Sequence, residues 1–281
     1  MNKVHLNPRN SFTILCAEDL FNGNVAKSYF EELDLSAGLD LYDEIMSLYP
    51  LYPEIIVNRK YAVRTFAESL SDSLSDGCQV IVLGAGWSPV GLELLTRSGN
   101  VLKLMEVDRS CMDEKRELYE YICPDVKNRI SFIQKDVSNL DLYDEFFIEG
   151  YNKRLPSIVI LEGISYNISQ EALERIIRFF SSVSSYRDPD VDMYFLLEYM
   201  VDDDLLSNES VLKRRNIHRL INNNNDPTTY TYEDIESMFT VYGGDIFEHL
   251  TMQDIEKERF DEDDCVFEND DNWIECIMGK L

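Results

Sequence analysis

Residues 80–95 read VIVLGAGWSPVGLELL, and this stretch decides the fold. Four apolar residues run into Gly84-Ala85-Gly86, and a helical pattern begins at Pro89. A strand that ends in a glycine turn and enters a helix is typical of nucleotide-binding α/β folds, because the missing side chains let the backbone approach a ligand. The stretch therefore predicts a ligand site at the carboxyl end of a central strand.

The sequence on either side of this stretch predicts an α/β protein. Residues 11 to about 75 carry apolar residues at helical spacings, whereas short β-rich runs alternate with helical ones from Gln79 to Met200. Such alternation favours a parallel sheet covered by helices on both faces. The segments DIFEHLTMQDI and WIECIMGKL, with an acidic turn between them, predict two C-terminal strands that add an antiparallel edge hairpin.

We therefore expect a Rossmann-like, doubly wound, mostly parallel sheet of seven strands with a helical lid. Residues 1–76 would form an N-terminal helical cap or lid, and residues 77–281 would form the ligand-binding core. A polar helical segment at about 201–241 would be an insert in that core. Tyr230 and Tyr232 could line an acceptor pocket there, or could equally be ordinary core residues.

The composition argues against several kinds of partner. The chain has 281 residues and a formal net charge of -27, so its field repels polyanions and nucleic acid is not expected. The six cysteines form no C-x-x-C pair and the three histidines show no metal-ligand spacing, which indicates free thiols and no metal. No run approaches the roughly 18 apolar residues of a membrane span. We expect a soluble, cytoplasmic protein without a membrane partner.

Position 89 argues against a dinucleotide cofactor. A dinucleotide fingerprint would place a third glycine there and would use free helix amides to bind pyrophosphate. The chain has Pro89 instead, with Ser88 expected as the N-cap and Pro89 as the first helical residue. Since proline lacks an N–H, the turn favours a nucleoside ligand without phosphates.

Acidic residues follow the next two predicted strands. Glu106 lies 22 residues after Gly84, with Asp108 close behind it, and either carboxylate could accept hydrogen bonds from both ribose hydroxyls. Asp136 and Val137 follow the third strand and could contact adenine, although Asp136 could also be a turn or capping residue. Together with the glycine turn, these acids indicate a site for S-adenosylmethionine.

Four blocks of the chain resemble the leucine carboxyl methyltransferases and their bacterial S-adenosylmethionine-dependent relatives. In chain order they are PEIIVNRKYAVRTF, QVIVLGAG, MEVDRSCMDEKRE and LEGISYNISQEAL, which span roughly residues 53 to 180. The resemblance implies the same Rossmann-like fold and S-adenosyl-L-methionine as the cofactor.

The resemblance also implies roles for individual residues. Arg64 would pair with the cofactor's carboxylate, and Gly84 and Gly86 would line its methionine part. Glu162 would face the ammonium or sulfonium group. A carboxylate that ends a buried apolar strand is costly without a partner, which independently favours a ligand at Glu162.

The chain departs from the family at two places near the expected acceptor. The turn continues as Trp-Ser-Pro where relatives have a residue followed by Asp-Thr-Arg, and Asn167 stands where relatives have a tyrosine, with Tyr166 before it. Tyr166 and Asn167 could orient an acceptor by hydrogen bonds. Alternatively, Tyr166 packs and Asn167 caps the helix that starts near Ser169.

These observations favour an S-adenosylmethionine-dependent O-methyltransferase that acts on a carboxylate of a small molecule or peptide. A carboxylate is ionised near neutral pH and needs no general base. The altered turn is also compatible with a lyase or cyclase that releases methylthioadenosine from the cofactor alone. A third possibility is a non-catalytic protein that binds the cofactor.

Overall fold

Seven strands of the computed structural model form one sheet, and the structure describes residues 3–138, 146, 148–181, 188–222, 224–261 and 265–281. A small parallel pair, β1 (Val4–His5) and β2 (Leu33–Asp34), lies outside the large sheet. The strands of the large sheet are β3 (Cys78–Leu83), β4 (Val101–Asp108), β5 (Ile130–Gln134), β6 (Ser157–Leu161), β7 (Met193–Met200), β8 (Asp245–Leu250) and β9 (Ile274–Lys280).

The order of the large sheet is β5-β4-β3-β6-β7-β9-β8. Strands β3 to β7 pair in parallel, and β9 runs antiparallel to both β7 and β8. The predicted mostly parallel sheet with an antiparallel C-terminal edge is therefore confirmed. The chain moves to one side of β3 for β4 and β5 and to the other side for β6 and β7. The carboxyl ends of β3 and β6 consequently lie side by side, where open α/β sheets bind ligands.

Ten helices of the described residues cover this sheet. They are α1 (Pro8–Ala17), α2 (Asn24–Glu31), α3 (Leu39–Leu48), α4 (Tyr52–Ser73), α5 (Val90–Arg97), α6 (Met112–Ile122), α7 (Gln170–Ser181), α8 (Asn208–Ile221), α9 (Tyr232–Val241) and α10 (Met252–Phe260). None of them combines the length and hydrophobicity required to cross a bilayer.

Side chains of the central strand alternate between two hydrophobic cores. Val80 and Val82 belong to a core that includes the N-terminal helices, whereas Ile81 and Leu83 belong to a core that includes α7. Alternate residues of a strand point to opposite faces, so one fully buried strand can supply both cores. This packing fixes the position of the turn that follows β3.

The helical N-terminal region packs against one face of the sheet. Phe12 of α1 stacks on Tyr52 of α4 with ring centroids 6.1 Å apart, and both residues are buried. Helix α4 is the longest of the described helices, at 22 residues. The division of the chain at residue 76 and the role of residues 1–76 as a lid stay predictions.

Two local expectations are wrong. Helix α5 begins at Val90, so Pro89 is the N-cap residue, and Ser88 makes no capping hydrogen bond. The segment after β8 forms helix α10 where a continued strand was expected. Its start is fixed by a capping box in which the Thr251 side chain and the Asp254 side chain each accept a hydrogen bond from the other's backbone N–H.

Candidate functional site

A cleft opens at the carboxyl ends of β3 and β6, beneath residues of α1, α4 and α8. Its volume, including the open mouth, is about 790 Å³. Two regions of the cleft wall differ in their side chains. We call them the glycine half and the arginine half. The glycine half consists of Lys60, Gly84–Ser88 and Glu162, and the arginine half consists of Arg9, Arg59, Tyr166, His218 and Asn222.

The glycine turn lies in the wall of the cleft as predicted. Gly84 and Gly86 have φ angles of +70° and +43°, a left-handed conformation that favours glycine. The amides of Gly84 and Ala85 donate to the carbonyl of Val107, at 2.8 and 3.0 Å. A side chain at Gly86 would meet no atom closer than 4.0 Å, so the space beside this residue is open to a ligand.

Asp108 and Glu106 have different environments although both lie near the end of β4. Asp108 Oδ2 accepts from the Gly86 amide at 3.0 Å, which links the turn to the neighbouring strand tip. Glu106 is fully buried beneath α5 and forms an ion pair with Lys115 at 2.6 Å. Burial raises the pKa of Glu106, while Lys115 opposes the rise. Of the two predicted ribose ligands, only Asp108 lies partly exposed at the strand tip.

The ammonium of Lys115 also supports the Trp-Ser-Pro turn, which is one of the two places where the chain departs from the family pattern. Its Nζ donates to the carbonyl of Ser88 at 2.9 Å, and the hydroxyl of Tyr29 donates to the carbonyl of Trp87 at 2.9 Å. The buried Glu106–Lys115 pair thus supports the backbone of the cleft wall from behind.

Asp136 and Val137 follow β5, next to the strand that ends in Asp108. Asp136 is exposed, and its Oδ1 accepts from the amide and hydroxyl of Ser138 at 2.9 and 2.7 Å. These hydrogen bonds lower the pKa of Asp136. Val137 is buried in the core. In the described structure Asp136 therefore acts as a turn residue, and Oδ2 carries no hydrogen bond to a described residue.

Glu162 directly follows β6 and lines the cleft. It forms an ion pair with Lys60 of α4 and accepts from Ser88 Oγ at 3.1 Å. Both charged side chains are almost completely buried, at 2% exposure for Lys60 and 7% for Glu162. Burial by itself would raise the pKa of Glu162, but Lys60 and Arg59 hold it below its ordinary value. The glycine half thus presents adjacent positive and negative charges.

Arg64 lies outside the lining of this cleft. Its Nε is 3.3 Å from Glu68 Oε1 and 3.4 Å from Glu93 Oε2, and its guanidinium also donates to the carbonyl of Leu20. Lys60, one helical turn earlier on α4, lines the cleft instead. The structure therefore does not bring Arg64 together with Glu162 and the glycine turn.

In the arginine half, Arg59 forms a buried ion pair with Glu198 of β7. The same guanidinium donates to the hydroxyl of Tyr166, and the amide of Gly163 donates to Glu198. Tyr166 lines the cleft and is itself buried. Asn167 is placed differently, since its Nδ2 donates to the Gly163 carbonyl at 2.7 Å and stabilises the turn after β6.

Arg9 of α1 also lines the cleft, and its guanidinium makes no ion pair or hydrogen bond with any described residue. Burial lowers the pKa of Arg9, and the positive charges of Arg109 and Arg59 lower it further. An arginine that stays charged in such surroundings requires an anion close by. The arginine half therefore has unneutralised positive charge.

His218 and Asn222 of the predicted insert complete the arginine half. His218 meets the Tyr166 ring edge-on, with centroids 5.9 Å apart. Burial lowers the pKa of His218 to about 4, and the charges of Arg9 and Arg214 add to the shift. The insert thus reaches the cleft through these residues, whereas Tyr230 is buried in the core and Tyr232 stacks on His249.

Sequence reasoning missed several residues of the cleft. Glu198 sits within the apolar strand MYFLLEYM, so the argument used for Glu162 would have found it. Arg59 and Lys60 lie in the same predicted block, PEIIVNRKYAVRTF, as Arg64, which the resemblance singled out. No comparable signal marks Arg9 or Asn222, because their position depends on how α1 and α8 pack over the sheet.

One family model matches the part of the chain that carries most of the cleft. The family model of leucine carboxyl methyltransferase matches residues 48–181, which include the glycine turn, Asp108 and Glu162. This match confirms the resemblance predicted from the four sequence blocks. A search of curated proteins finds no match.

Solved structures share the fold at low sequence identity. A candidate methyltransferase from Thermobifida fusca YX superposes with a TM-score of 0.66 at 15% identity, over 98% of this chain and 95% of that chain. A DUF574 family protein from Streptomyces avermitilis gives 0.60 at 12% identity, over 87% and 90% of the two chains. Magnesium protoporphyrin IX methyltransferase from Synechocystis PCC 6803, solved with bound SAH, gives 0.52 at 15% identity over 96% and 99%. The predicted Rossmann-like methyltransferase fold is therefore confirmed.

Proposed function

The chain is an S-adenosylmethionine-dependent methyltransferase that resembles the leucine carboxyl methyltransferases, and from this premise we propose that it methylates a carboxylate of a small molecule or peptide. The observation that carries the proposal is the unpaired guanidinium of Arg9 in the cleft. In a chain of net charge -27, an unneutralised cation beside the expected methyl donor favours an anionic acceptor.

We assign the cofactor to the glycine half of the cleft. Gly84, Ala85 and Gly86 would contact its methionine part, and Glu162 would pair with its ammonium. Lys60 lines the cleft beside Glu162, so we propose Lys60 as the partner of the cofactor's carboxylate in place of Arg64. The opposite charges of this pair are complementary to the two charges of an amino-acid group.

The rest of the cofactor would extend along the strand tips. Asp108 accepts from the Gly86 amide at Oδ2 and from the amide and hydroxyl of Ser110 at Oδ1, and its remaining acceptor site at Oδ2 would accept from a ribose hydroxyl. Asp136 and Val137 lie after the neighbouring strand and would contact adenine.

The acceptor would occupy the arginine half. Its carboxylate would pair with Arg9, and the hydroxyl of Tyr166, held by Arg59, would help to orient it. The bound cofactor supplies an electrophilic methyl group, so the protein has to align the two ligands and exclude water. Helices α1 and α8 cover the cleft and would serve as the lid. Asn167 would act indirectly, by fixing the turn at Gly163.

An assay with methyl-labelled cofactor tests the reaction. The purified protein is incubated with S-adenosylmethionine with and without carboxylic acids, and both the nucleoside product and the label are identified. S-adenosylhomocysteine with a base-labile methyl ester, formed only when an acid is present, supports the proposal. Methylthioadenosine without an acid would indicate a lyase, and unchanged cofactor a binding protein. Either of these results overturns the proposed carboxylate transfer.

The Arg9→Gln variant tests the observation that carries the proposal. Loss of a charged partner should lower kcat/KM for the acid at least about tenfold while the affinity for S-adenosylmethionine stays unchanged. Arg154→Gln is the matched control, because Arg154 is 81% exposed and lies before β6, at the opposite end of the sheet. If Arg9→Gln instead weakens cofactor binding, Arg9 serves the cofactor and the acceptor assignment fails.

A further inference from the structure

The glycine turn has few hydrogen-bond donors left for a ligand. In residues 84–89, four main-chain amides already donate to oxygens of the protein, and the proline at position 89 has no N–H. The amide of Trp87 donates to no described residue. Every main-chain donor needs an acceptor, so a ligand or water has to satisfy this one. The four amides already in use are those of Gly84, Ala85, Gly86 and Ser88.

The indole of Trp87 supplies a second free donor. Trp87 lines the cleft and is 8% exposed. Its Nε1 forms no hydrogen bond with a described residue and, unlike the completely buried polar atoms of the core, retains accessible surface. An indole N–H can only donate, and in a mostly buried tryptophan it usually has an acceptor. A ligand in the cleft is the source of acceptor that the fold leaves open.

The backbone holds Trp87 next to the charged pair of the glycine half. The hydroxyl of Tyr29 donates to the Trp87 carbonyl at 2.9 Å in a buried hydrogen bond, which fixes the turn. Trp87 directly precedes Ser88, whose hydroxyl donates to Glu162 at 3.1 Å, and Glu162 pairs with Lys60. Trp87 therefore lies beside the position that we propose for the cofactor's amino-acid group.

The carboxylate of that group requires more donors than Lys60 provides. An ionised carboxylate has about four acceptor sites, whereas the ammonium of Lys60 is shared with Glu162. Arg64, to which the family resemblance gives this role, is engaged by Glu68 and lies outside the cleft lining. An indole N–H adds a donor without adding charge, so it leaves the balance of the Lys60–Glu162 pair unchanged.

We propose that Trp87 binds the carboxylate of the cofactor through its indole N–H and, together with Lys60, takes the place of Arg64. The Trp-Ser-Pro turn, where the chain departs from the family pattern, is then a change in how the cofactor's amino-acid group is bound. This inference rests on the proposed position of the cofactor in the glycine half. It does not depend on the identity of the acceptor.

Two matched ligands test the inference: S-adenosylhomocysteine and its decarboxylated form, in which a hydrogen replaces the carboxylate and the ammonium is retained. Calorimetry measures the binding of both to the wild type and to Trp87→Phe, which keeps an aromatic ring but lacks the N–H. We expect the variant to bind S-adenosylhomocysteine at least about tenfold more weakly and the decarboxylated form less than about twofold more weakly. Equal losses for the two ligands, or an unchanged affinity for S-adenosylhomocysteine, overturn the inference.

Nuclear magnetic resonance of the indole N–H groups tests the same contact without a substitution. The chain has two tryptophans, and Trp273 is an internal reference because its Nε1 already donates to Ser210 Oγ and to the carbonyl of Asp270. With S-adenosylhomocysteine, the Trp87 signal should move downfield and become protected from exchange with solvent, while the Trp273 signal stays in place. The decarboxylated form should produce neither change. A Trp87 signal that responds equally to both ligands, or to neither, overturns the inference.

The methyl-transfer assay separates this inference from the proposed function, since neither binding experiment contains an acceptor. If Trp87→Phe selectively weakens S-adenosylhomocysteine binding but no acid receives label from the cofactor, the proposed carboxylate transfer fails and the role of Trp87 holds. If acids are methylated while Trp87→Phe binds S-adenosylhomocysteine as tightly as the wild type, the proposed function holds and the inference fails. A wild type that does not bind S-adenosylhomocysteine overturns both.

Discussion

Lys60 and Arg64 offer alternative partners for the cofactor's carboxylate, one helical turn apart on α4. Lys60 lies in the cleft beside Glu162, whereas Arg64 is engaged by Glu68 and Glu93 outside it. We expect Lys60→Gln to weaken S-adenosylhomocysteine binding at least about tenfold. Arg64→Gln should lower the melting temperature and change the affinity by less than about twofold. Calorimetry measures the affinity of both variants for S-adenosylhomocysteine. If Arg64→Gln weakened binding more than Lys60→Gln, Arg64 would be the carboxylate partner.

Glu106 and Asp108 differ in what their removal should affect. Glu106→Gln leaves the fully buried ammonium of Lys115 without its partner, which should cost about 3–5 kcal/mol of unfolding free energy. Asp108→Asn should instead lower cofactor affinity about tenfold, because a carboxylate accepts from ribose hydroxyls more strongly than an amide oxygen. Denaturant unfolding and calorimetry separate the two effects. A loss of affinity in folded Glu106→Gln equal to that of Asp108→Asn would contradict this division.

His218 should make stability fall with decreasing pH. Burial, with Arg9 and Arg214, lowers its pKa in the folded protein to about 4, whereas the unfolded value is about 6.5. Its stabilising contribution is therefore complete above about pH 6.5 and is lost as the pH falls toward 4. The loss should reach roughly 3 kcal/mol. Unfolding curves at several pH values give the free energy of unfolding of the wild type and of His218→Gln, and the difference between the two measures this loss. If the free energies of both proteins changed with pH in the same way, His218 would not be the group responsible.

At the level of elements, the sequence was sufficient for the sheet and the glycine turn. Buried strands and glycine turns depend on local patterns of residue type, and both were found where predicted. The choice between Lys60 and Arg64, or between Glu106 and Asp108, depends on a shift of one helical turn or two strand residues. Which residue of each pair faces the cleft is determined by packing against α5. The periodicity of apolar residues in the sequence does not contain this information. Long-range packing also determines that Asn222 of α8 reaches the cleft.

Helix α5 packs closely on β4 through Gly91, which makes this position sensitive to a single methyl group. A Cβ there would lie 2.7 Å from Glu106 Oε1 and 2.9 Å from Leu104 Cδ1. Gly91→Ala should therefore cost about 1–3 kcal/mol of unfolding free energy despite the higher helix propensity of alanine. Gly99→Ala is the matched control, because a Cβ there meets no atom within 4 Å. Equal stability of the two variants in denaturant would show that α5 can move away from β4.

For the whole molecule, the net charge of -27 should affect the cofactor and its product differently. S-adenosylmethionine carries one more positive charge than S-adenosylhomocysteine, on the sulfonium, while the two share the same amino-acid and adenosine parts. The acidic surface attracts that extra charge over distances that salt screens. Raising the ionic strength to about 1 M should therefore weaken S-adenosylmethionine binding several-fold and change S-adenosylhomocysteine binding little.

Calorimetry of both ligands at low and high salt makes this comparison, with the product as the internal control. Among the described residues, the cleft lining holds three cations, Arg9, Arg59 and Lys60, against the carboxylate of Glu162 and that of Glu198, which pairs with Arg59 from behind the lining. If this local excess of positive charge dominated, salt would strengthen S-adenosylmethionine binding relative to the product. The sign of the salt effect thus distinguishes the field of the whole surface from the field of the cleft. A weakening confined to S-adenosylmethionine is expected, because the surface charge is far larger than the local excess of one positive charge in the cleft.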